Sequence, residues 1–192
     1  MRRFSFAALL IAIPAATVVL DNPHVRVFRT TDGSLAGVDH GPGVVISLND
    51  ASAGTAVWMD NVASHARSTF GGSLIVVQPR RAKTPPVAVP APGSAPGESP
   101  FTGMSFNPLF ENDQVRVIRA RMDVGAREAF HTHGSDTIVV HLSGGEIEDT
   151  ANGKTTVHRW KRGDVEFEAR GSSHSARNVG KAVDVVLVAL KQ

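Results

Sequence analysis

The sequence predicts an all-β protein made of two units. Short apolar runs rich in Val and Ile recur between turn signals of Gly, Pro and Asn, and none is sustained with a helical period. Most of the prolines fall in one central stretch, and a pattern near the start of the chain returns after that stretch. Together these observations predict two β sandwiches or barrels joined by a linker.

The N-terminus has the three-part form of a secretory signal peptide. Met1 to Arg3 form a basic head, and Phe4 to Ala16 form an apolar run that ends in small residues. That run is shorter than the roughly 20 apolar residues of a membrane-spanning helix. We therefore predict a signal over residues 1–16 and export to the periplasm or the extracellular space. Cleavage after Ala15 or Ala16 gives no clean Ala-x-Ala, so a retained hydrophobic helix is the alternative.

The overall composition excludes several classes of site. The chain has no cysteine, which rules out disulfides, thiolate metal sites and a cysteine nucleophile. Its formal net charge is +2 and its Lys and Arg residues are scattered, so we expect no nucleic-acid partner. Once the signal is removed, we expect no membrane span.

The first unit, residues 17–78, is predicted to contain short strands separated by tight turns. Its strands are expected at Thr17–Thr31 (broken by a turn at Asn22-Pro23), Val44–Leu48, Ala56–Met59 and Ser73–Val77. Residues 79–106 are rich in proline and small residues, a composition that cannot bury enough apolar surface to fold. They are predicted to be a linker, with a long ordered loop around one domain as the alternative.

The second unit, residues 107–192, returns to the β pattern. Its strands are expected at Gln114–Met122, Ile138–Leu142, Thr155–Trp160, Val165–Ala169 and Val183–Leu190. Asn152-Gly153 is a signal for a tight hairpin. Asp21–Arg29 in the first unit aligns with Glu111–Arg119 in the second, sharing an acid, an Asn, Val-Arg-Val and a final Arg. This predicts an internal duplication.

Three histidines of the second unit form a candidate metal site. His131 and His133 are two residues apart, so they share one face if the segment is a strand. His174 lies in a strand-turn-strand segment and reaches the same place if the strands are neighbours. Three imidazoles with an open position suit a catalytic divalent transition metal such as Fe, Mn, Zn, Ni or Cu. In the first unit His40 and His65 are the only remnants of the corresponding histidine positions, so a full site there is not expected.

The spacing of these residues resembles the two motifs of the cupin superfamily. The first motif runs from Gly125 through His131, His133 and Thr137 to Gly144, and the second runs from Gly163 through Gly171 and His174 to Asn178. The resemblance implies two double-stranded β-helix (jelly-roll) barrels, the first degenerate, with a metal inside the second on His131, His133 and His174. The resemblance is compatible with a small-molecule ligand and, because cupins often pair through strands, with a homodimer, although no stretch of this sequence marks a dimer interface.

Two positions depart from the family pattern. Ala169 stands where the second motif usually has Pro, and Thr137 stands where the first usually has a metal-binding Glu. Asp136 is adjacent to Thr137 but points to the opposite face unless a β-bulge shifts the register. The site is therefore three-histidine, three-histidine plus Asp136, or without metal.

Other residues are secondary candidates for the pocket. Strand alternation puts Thr137, His141 and Arg127 on the same face as the histidine pair. For His141 we favour a core histidine bonded to a backbone carbonyl. Arg127 could meet an anionic ligand at the barrel mouth, but we favour an exposed surface position for it. Asn178 is expected to hold a loop by hydrogen bonds. Glu166 and Glu168 share a face that is expected to be solvated.

Three functions fit these predictions. The first is a metal-dependent enzyme, of the oxygenase or isomerase type that the family suggests, acting on a small organic substrate. The second is a non-catalytic metal-binding or small-molecule-binding protein, and the third is a structural barrel without metal. The three histidines favour the first two, and the missing Glu favours the last two.

Overall fold

The computed structural model describes residues 16–65, 70–80 and 100–191. The expected signal peptide and most of the expected linker lie outside these ranges. Within them the chain forms thirteen strands, and its helical segments are two short 3-10 turns, Asp50–Ser52 and Val62–Ser64. None of the helical segments described is long and apolar enough to cross a membrane. The predicted all-β class is confirmed.

The first unit forms one antiparallel sheet of five strands. The strands are β1 (Thr17–Asp21), β2 (Val25–Thr30), β3 (Gly43–Ser47), β4 (Ala56–Met59) and β5 (Leu74–Pro79). Their spatial order is β1-β2-β5-β3-β4, which places β5 and β3 at the centre. Every residue of β3 is buried, because side chains on both faces of this sheet are covered.

The second unit forms a sheet of eight strands. They are β6 (Phe101–Glu111), β7 (Val115–Thr132), β8 (Thr137–His141), β9 (Gly145–Ala151), β10 (Lys154–Trp160), β11 (Val165–Glu168), β12 (Ser173–Asn178) and β13 (Val183–Leu190). The order is β10-β9-β12-β7-β13-β8-β11. Strand β7 pairs along one edge with β13 through its first part and with β12 through its second, while β6 follows its other edge.

This second sheet is rolled up around a cavity. Strands β9 and β11 are far apart in the strand order, yet Asp149 of β9 and Glu166 of β11 line the same space. The 18-residue strand β7 runs through both halves of the rolled sheet. Gly125, in the middle of β7, has a φ of +76°, a backbone conformation that glycine adopts without strain. The geometry is that of the barrel expected for this unit.

The first sheet packs against the outside of this barrel. Along β8 and β13, alternate side chains line the cavity, and the residues between them, such as Ile138 and Val188, point outward. These outward side chains form one core with Val27, Val44 and Ile46 of the first sheet. Each fully buried Val or Ile contributes about 1.5–3 kcal/mol relative to exposure. The two units therefore share a hydrophobic core.

The other face of the first sheet has a separate core. Phe28, Val45 and Val76 pack there with Leu35 and Val62, which come from the connections between strands. The first unit is thus a single sheet covered by its own loops on one side and by the barrel on the other. Among the described residues, the first unit is therefore an open sheet and not a closed barrel, and the cavity lined by the histidines lies in the second unit.

The repeated sequence pattern forms the same turn in both units. The Asn22 side-chain oxygen accepts hydrogen bonds from the backbone amides of His24 and Val25, at 2.8 and 2.9 Å. The oxygen of Asn112 accepts equivalent bonds, both 2.9 Å long, from residues 114 and 115. In each case the turn joins an antiparallel pair, β1–β2 or β6–β7. Descent of the two units from a duplication stays a prediction.

Strands β6, β7 and β9 differ from the expected boundaries. Strand β7 continues past the expected end at Met122 to Thr132. Strand β6 begins at Phe101, so the last six residues assigned to the linker, 101–106, form ladder bonds with β7 instead. Phe101, Met104 and Phe106 are apolar, but the proline-rich composition of the residues just before them led to their assignment to the linker. Strand β9 was not predicted, because its charged residues, such as Glu146 and Glu148, do not resemble a strand with one buried face.

Candidate metal centre and cavity

The three predicted histidines converge inside the barrel. His131 lies near the end of β7, His133 directly follows that strand, and His174 on β12 is the cross-strand partner of His131. One ring nitrogen from each histidine lies within 4.8 Å of the others. The Nε2 atoms of His133 and His174 are 3.1 Å apart. Strand pairing thus creates the cluster from positions more than forty residues apart in sequence.

The outer ring nitrogen of each histidine faces an acceptor. Nδ1 of His131 donates to the carbonyl oxygen of Ala129 at 3.0 Å. Nδ1 of His174 lies 2.6 Å from a carboxylate oxygen of Asp149, and Nδ1 of His133 lies 3.5 Å from a carboxylate oxygen of Glu168. Such contacts fix the ring orientation and leave Nε2 available for a metal.

The donor set fits a divalent transition metal. Imidazole nitrogens bind such ions at about 2.0–2.1 Å, so two ligands of one ion are about 3 Å apart. The 3.1 Å separation of His133 and His174 matches this spacing. Burial, followed by the charges of His174 and His131, lowers the pKa of His133 to about 4. Its imidazole is therefore neutral at pH 7, as a metal ligand must be.

The histidines stand on the wall of a cavity of about 320 Å³. This volume is within the range of small-molecule sites. Its lining includes apolar side chains such as Met122, Val185 and Leu187. It also includes four carboxyl groups, those of Glu128, Asp149, Glu166 and Glu168.

Burial changes the acidity of three of these carboxyl groups. It raises the pKa of Glu168 well above its usual range, with added repulsion from Glu166, Glu128 and Asp149. Burial is also the first cause of the raised pKa of Glu128 and of Glu166. The expectation that Glu166 and Glu168 are solvated was wrong. The alternate residues of β11, Val165 and Phe167, pack in the shared core, so the acidic face of this strand turns inward.

A β-bulge in β7 brings Glu128 into the cavity and removes Arg127 from it. His131 is paired with His174, but the next partners are Glu128 and Ala176, so β7 has one more residue than β12 between these pairs. The extra residue reverses the alternation on the N-terminal side of the bulge. Arg127 is exposed, as the favoured surface interpretation had it, although strand alternation alone put it on the histidine face. In its place Glu128 faces the histidines, with its Oε2 3.7 Å from Nε2 of His174.

Asp136 does not join the histidines. Its carboxylate lies 2.8 Å from Nδ1 of His24 in the first unit and accepts a bond from the backbone amide of Arg170 at 2.8 Å. It is buried at the junction of the two units, and the bulge lies at the wrong place to turn it inward. Thr137 does line the cavity, as its strand position predicted.

His141 faces the cavity from β8 and stacks on Trp160. The ring centroids are 4.4 Å apart with an interplanar angle of 16°. His141 is 3% exposed, and neither ring nitrogen has a hydrogen-bond partner in the described part of the protein. The backbone carbonyl bond that we favoured for this side chain is therefore absent there. Burial lowers the pKa of His141 to about 4, although Asp164 acts in the opposite direction.

Asn178 has the structural role that was expected. Its side-chain amide donates to the carbonyl oxygens of Met122, Asp123 and Lys181 at 2.8–3.1 Å. It does not line the cavity. His40 and His65 of the first unit are both exposed and belong to no metal-type cluster among the described residues.

Sequence reasoning missed Glu128 and Asp149. Glu128 could not be found by strand alternation, because the bulge reverses the pattern. Asp149 lies in β9, a strand that the sequence did not predict.

No family model matches this chain, and neither does any curated protein. Solved structures do match about half of it. A cupin domain from Bordetella pertussis Tohama I is 21% identical, with a TM-score of 0.44, over 47% of this chain and 96% of its own. KdgF from a Halomonas species is 19% identical, with a TM-score of 0.40, over 47% of this chain and 80% of its own.

An enzyme also occurs among the similar structures. The DMSP lyase DddQ from Ruegeria pomeroyi is 22% identical, with a TM-score of 0.40, over 45% of this chain and 46% of its own. The matched structures thus include cupin domains, the family that the two sequence motifs resemble. At these identities and scores the likeness concerns strand arrangement, and it carries no assignment of activity.

Proposed function

We propose that this protein is a metal-binding cupin that holds one divalent transition metal ion on His131, His133 and His174. The observation that carries the proposal is the convergence of the three imidazoles with their Nδ1 atoms turned to outer partners. A side-chain cluster that served only to fill the core would not need each ring held in this orientation.

A metal-dependent enzyme on a small organic substrate is the activity that the cavity supports best. A bound metal ion supplies Lewis-acid activation of a water or substrate oxygen. The chain itself contributes Glu128 and Glu168, buried carboxyl groups with raised pKa values that line the cavity beside the histidines. Carboxyl groups in such a position are candidates for proton transfer to or from a bound substrate. An oxygenase or an isomerase is the corresponding reaction class.

A non-catalytic metal or small-molecule carrier is the second candidate. It is favoured by Thr137, which stands where the motif usually has a metal-binding carboxylate. Both candidates need the same metal site, so the site is the first thing to test.

The test is metal analysis of the purified protein after incubation with Fe, Mn, Zn, Ni or Cu salts and removal of excess ion. We expect one ion per chain in the wild type and none in His131→Ala/His133→Ala. The matched control is His40→Ala/His65→Ala, which removes two exposed histidines of the first unit and should retain the metal. Absence of metal from the wild type under all five conditions would overturn the proposal.

Export remains part of the proposal and rests on the basic and apolar N-terminal pattern. Sequencing the N-terminus of the mature protein tests it. A start near residue 17 is expected, and an intact Met1 would refute cleavage.

A further inference from the structure

His141 is a buried polar side chain for which the described protein supplies no polar partner. The residue belongs to the lining of the cavity and is 3% exposed. Neither Nδ1 nor Nε2 has a hydrogen-bond partner in the part of the chain that the structure describes. Buried polar atoms are normally paired, because an unpaired one has given up its bonds to water without replacement. A molecule bound in the cavity is the natural source of the missing hydrogen bond.

Stacking holds the His141 ring in place. The ring lies against Trp160 with the centroids 4.4 Å apart and the planes 16° apart. Trp160 stacks in turn with His158 at 5.7 Å, and all three rings line the cavity. The nitrogens lie on the edge of the imidazole, so a stacked face leaves them for a hydrogen bond in the plane of the ring. The ring is thus oriented by packing alone, with its hydrogen-bonding groups unused.

The chemistry of the ring favours a hydroxyl group as its partner. Burial lowers the pKa of His141 to about 4, so the imidazole is neutral at pH 7. A neutral imidazole has one N–H donor and one acceptor nitrogen, and the tautomer decides which nitrogen is which. A hydroxyl group both donates and accepts, whereas a carbonyl oxygen only accepts. A hydroxyl can therefore bond to either nitrogen in either tautomer.

His141 and the three-histidine cluster lie at different ends of the cavity. Thr137, the first residue of β8, pairs with Glu168, whose carboxylate is 3.5 Å from Nδ1 of His133. His141 is the last residue of β8, four residues further along the strand. At the rise of a β-strand this is about 13 Å from Thr137. A group bound at His141 is therefore held apart from the metal ligands.

An apolar wall connects the two ends. Val139 lies between Thr137 and His141 on the inner face of β8, and its cross-strand partner on β13 is Leu187. Val185, the partner of His141 on β13, also lines the cavity. An apolar body that covers these side chains loses contact with water, which favours binding.

We propose that His141 anchors a small organic ligand by hydrogen bonding to its hydroxyl group, while the apolar body of the ligand packs along β8 and β13 towards the three histidines. This inference rests on the proposed function in its small-molecule form, for which it names the ligand class and a residue that determines specificity. It depends on His141, which is outside the three-histidine cluster.

The first test compares two uncharged probes of nearly equal shape, para-fluorophenol and para-fluorotoluene. A cavity of about 150 Å³ already accepts benzene, and the present one is about 320 Å³. Binding to the wild-type protein at pH 7 is measured by fluorine NMR titration. An apolar wall alone would favour the methyl compound, because burial of an unpaired hydroxyl is costly. We expect the phenol to bind about tenfold more tightly instead. If the wild type did not prefer the phenol, including by binding neither probe, the inference would be overturned.

The second test assigns the preference to His141. In His141→Phe we expect the preference for the phenol to be lost, because phenylalanine offers no hydrogen bond. The matched control is His65→Phe, a change at an exposed histidine, which should keep it. Thermal unfolding shows whether His141→Phe is folded, and the comparison of probes on the wild type needs no variant. An unchanged preference in folded His141→Phe would refute the anchoring role.

The third test separates this inference from the metal proposal. His131→Ala/His133→Ala should keep the preference for the phenol, because His141 is intact. Loss of the preference in that variant together with its retention in His141→Phe would assign the hydroxyl to the histidine cluster and overturn the inference. If the wild type preferred the phenol but took up no metal, the metal proposal alone would fail. If it took up metal but showed no preference, this inference alone would fail.

Discussion

The Nε2 atoms of His133 and His174 lie 3.1 Å apart. Nδ1 of His174 lies 2.6 Å from the carboxylate of Asp149 and donates to it, so in the neutral form of the ring Nε2 of His174 is an acceptor. The short distance then requires either a proton on Nε2 of His133 or a cation shared by two lone pairs. A metal ion that is also bound by His131 satisfies the second arrangement.

Asp149→Asn should weaken metal binding without abolishing it. Asp149 orients His174 and increases its basicity, and loss of such an outer partner typically costs 10–100-fold in metal affinity. A competition titration against a chelator measures the change. Glu148→Gln is the matched control, because Glu148 pairs with Arg177 instead of a histidine. Equal affinities for the two variants would contradict the orienting role.

Glu128→Gln and Arg127→Gln test the bulge in β7. Glu128 lies beside His174 and Arg127 is exposed, although alternation alone would place them the other way. We expect the first variant to lose about tenfold in metal affinity, because it removes a negative charge beside the ligands. The second should bind as the wild type does. A loss confined to Arg127→Gln would show that the alternation is unbroken.

The sequence was sufficient for the features that depend on local pattern. Valine-rich runs predicted most of the strands. The pair His131 and His133, together with His174, predicted the histidine cluster, because strand pairing keeps the spacing of side chains on one face. Strand alternation alone put Arg127 on the histidine face and Glu128 on the other, because a bulge leaves no mark in the strand pattern. Glu166 and Glu168 were misassigned because only the packing of the first sheet on the barrel decides which face of β11 is inside.

Asp136 illustrates the same limit. Strand alternation correctly turned it away from the histidines, but its partner His24 is more than one hundred residues away and belongs to the other unit. Pairing over such a distance depends on how the two sheets pack, which no local pattern in the sequence contains.

Asp136→Ala should destabilise the protein and leave the metal site intact. The change removes a buried carboxylate that accepts a hydrogen bond from the Arg170 backbone amide and pairs with His24. We expect the free energy of unfolding to fall by about 3 kcal/mol. Asp136→Asn keeps one acceptor and should cost less. Denaturant unfolding measures stability, and metal analysis measures occupancy. If Asp136→Ala lost the metal but kept wild-type stability, Asp136 would have to be assigned as a metal ligand instead.

The buried imidazole of His141 should make stability depend on pH. Its pKa falls from the usual 6.5 to about 4 on folding, so between these values the unfolded chain binds a proton that the folded protein does not. Stability therefore decreases as the pH falls through this window. The buried Glu128, Glu166 and Glu168 act in the opposite sense, because their raised pKa values make the folded state the better proton acceptor.

Comparison with His141→Phe separates these contributions, since the carboxyl groups are common to both proteins. We expect the stability advantage of the wild type over the variant to shrink by on the order of 3 kcal/mol between pH 7.5 and pH 4. Urea unfolding of both proteins across this range gives the difference directly. A difference that stays constant with pH would mean that His141 is protonated as readily in the folded barrel as in water, contrary to its burial without a partner.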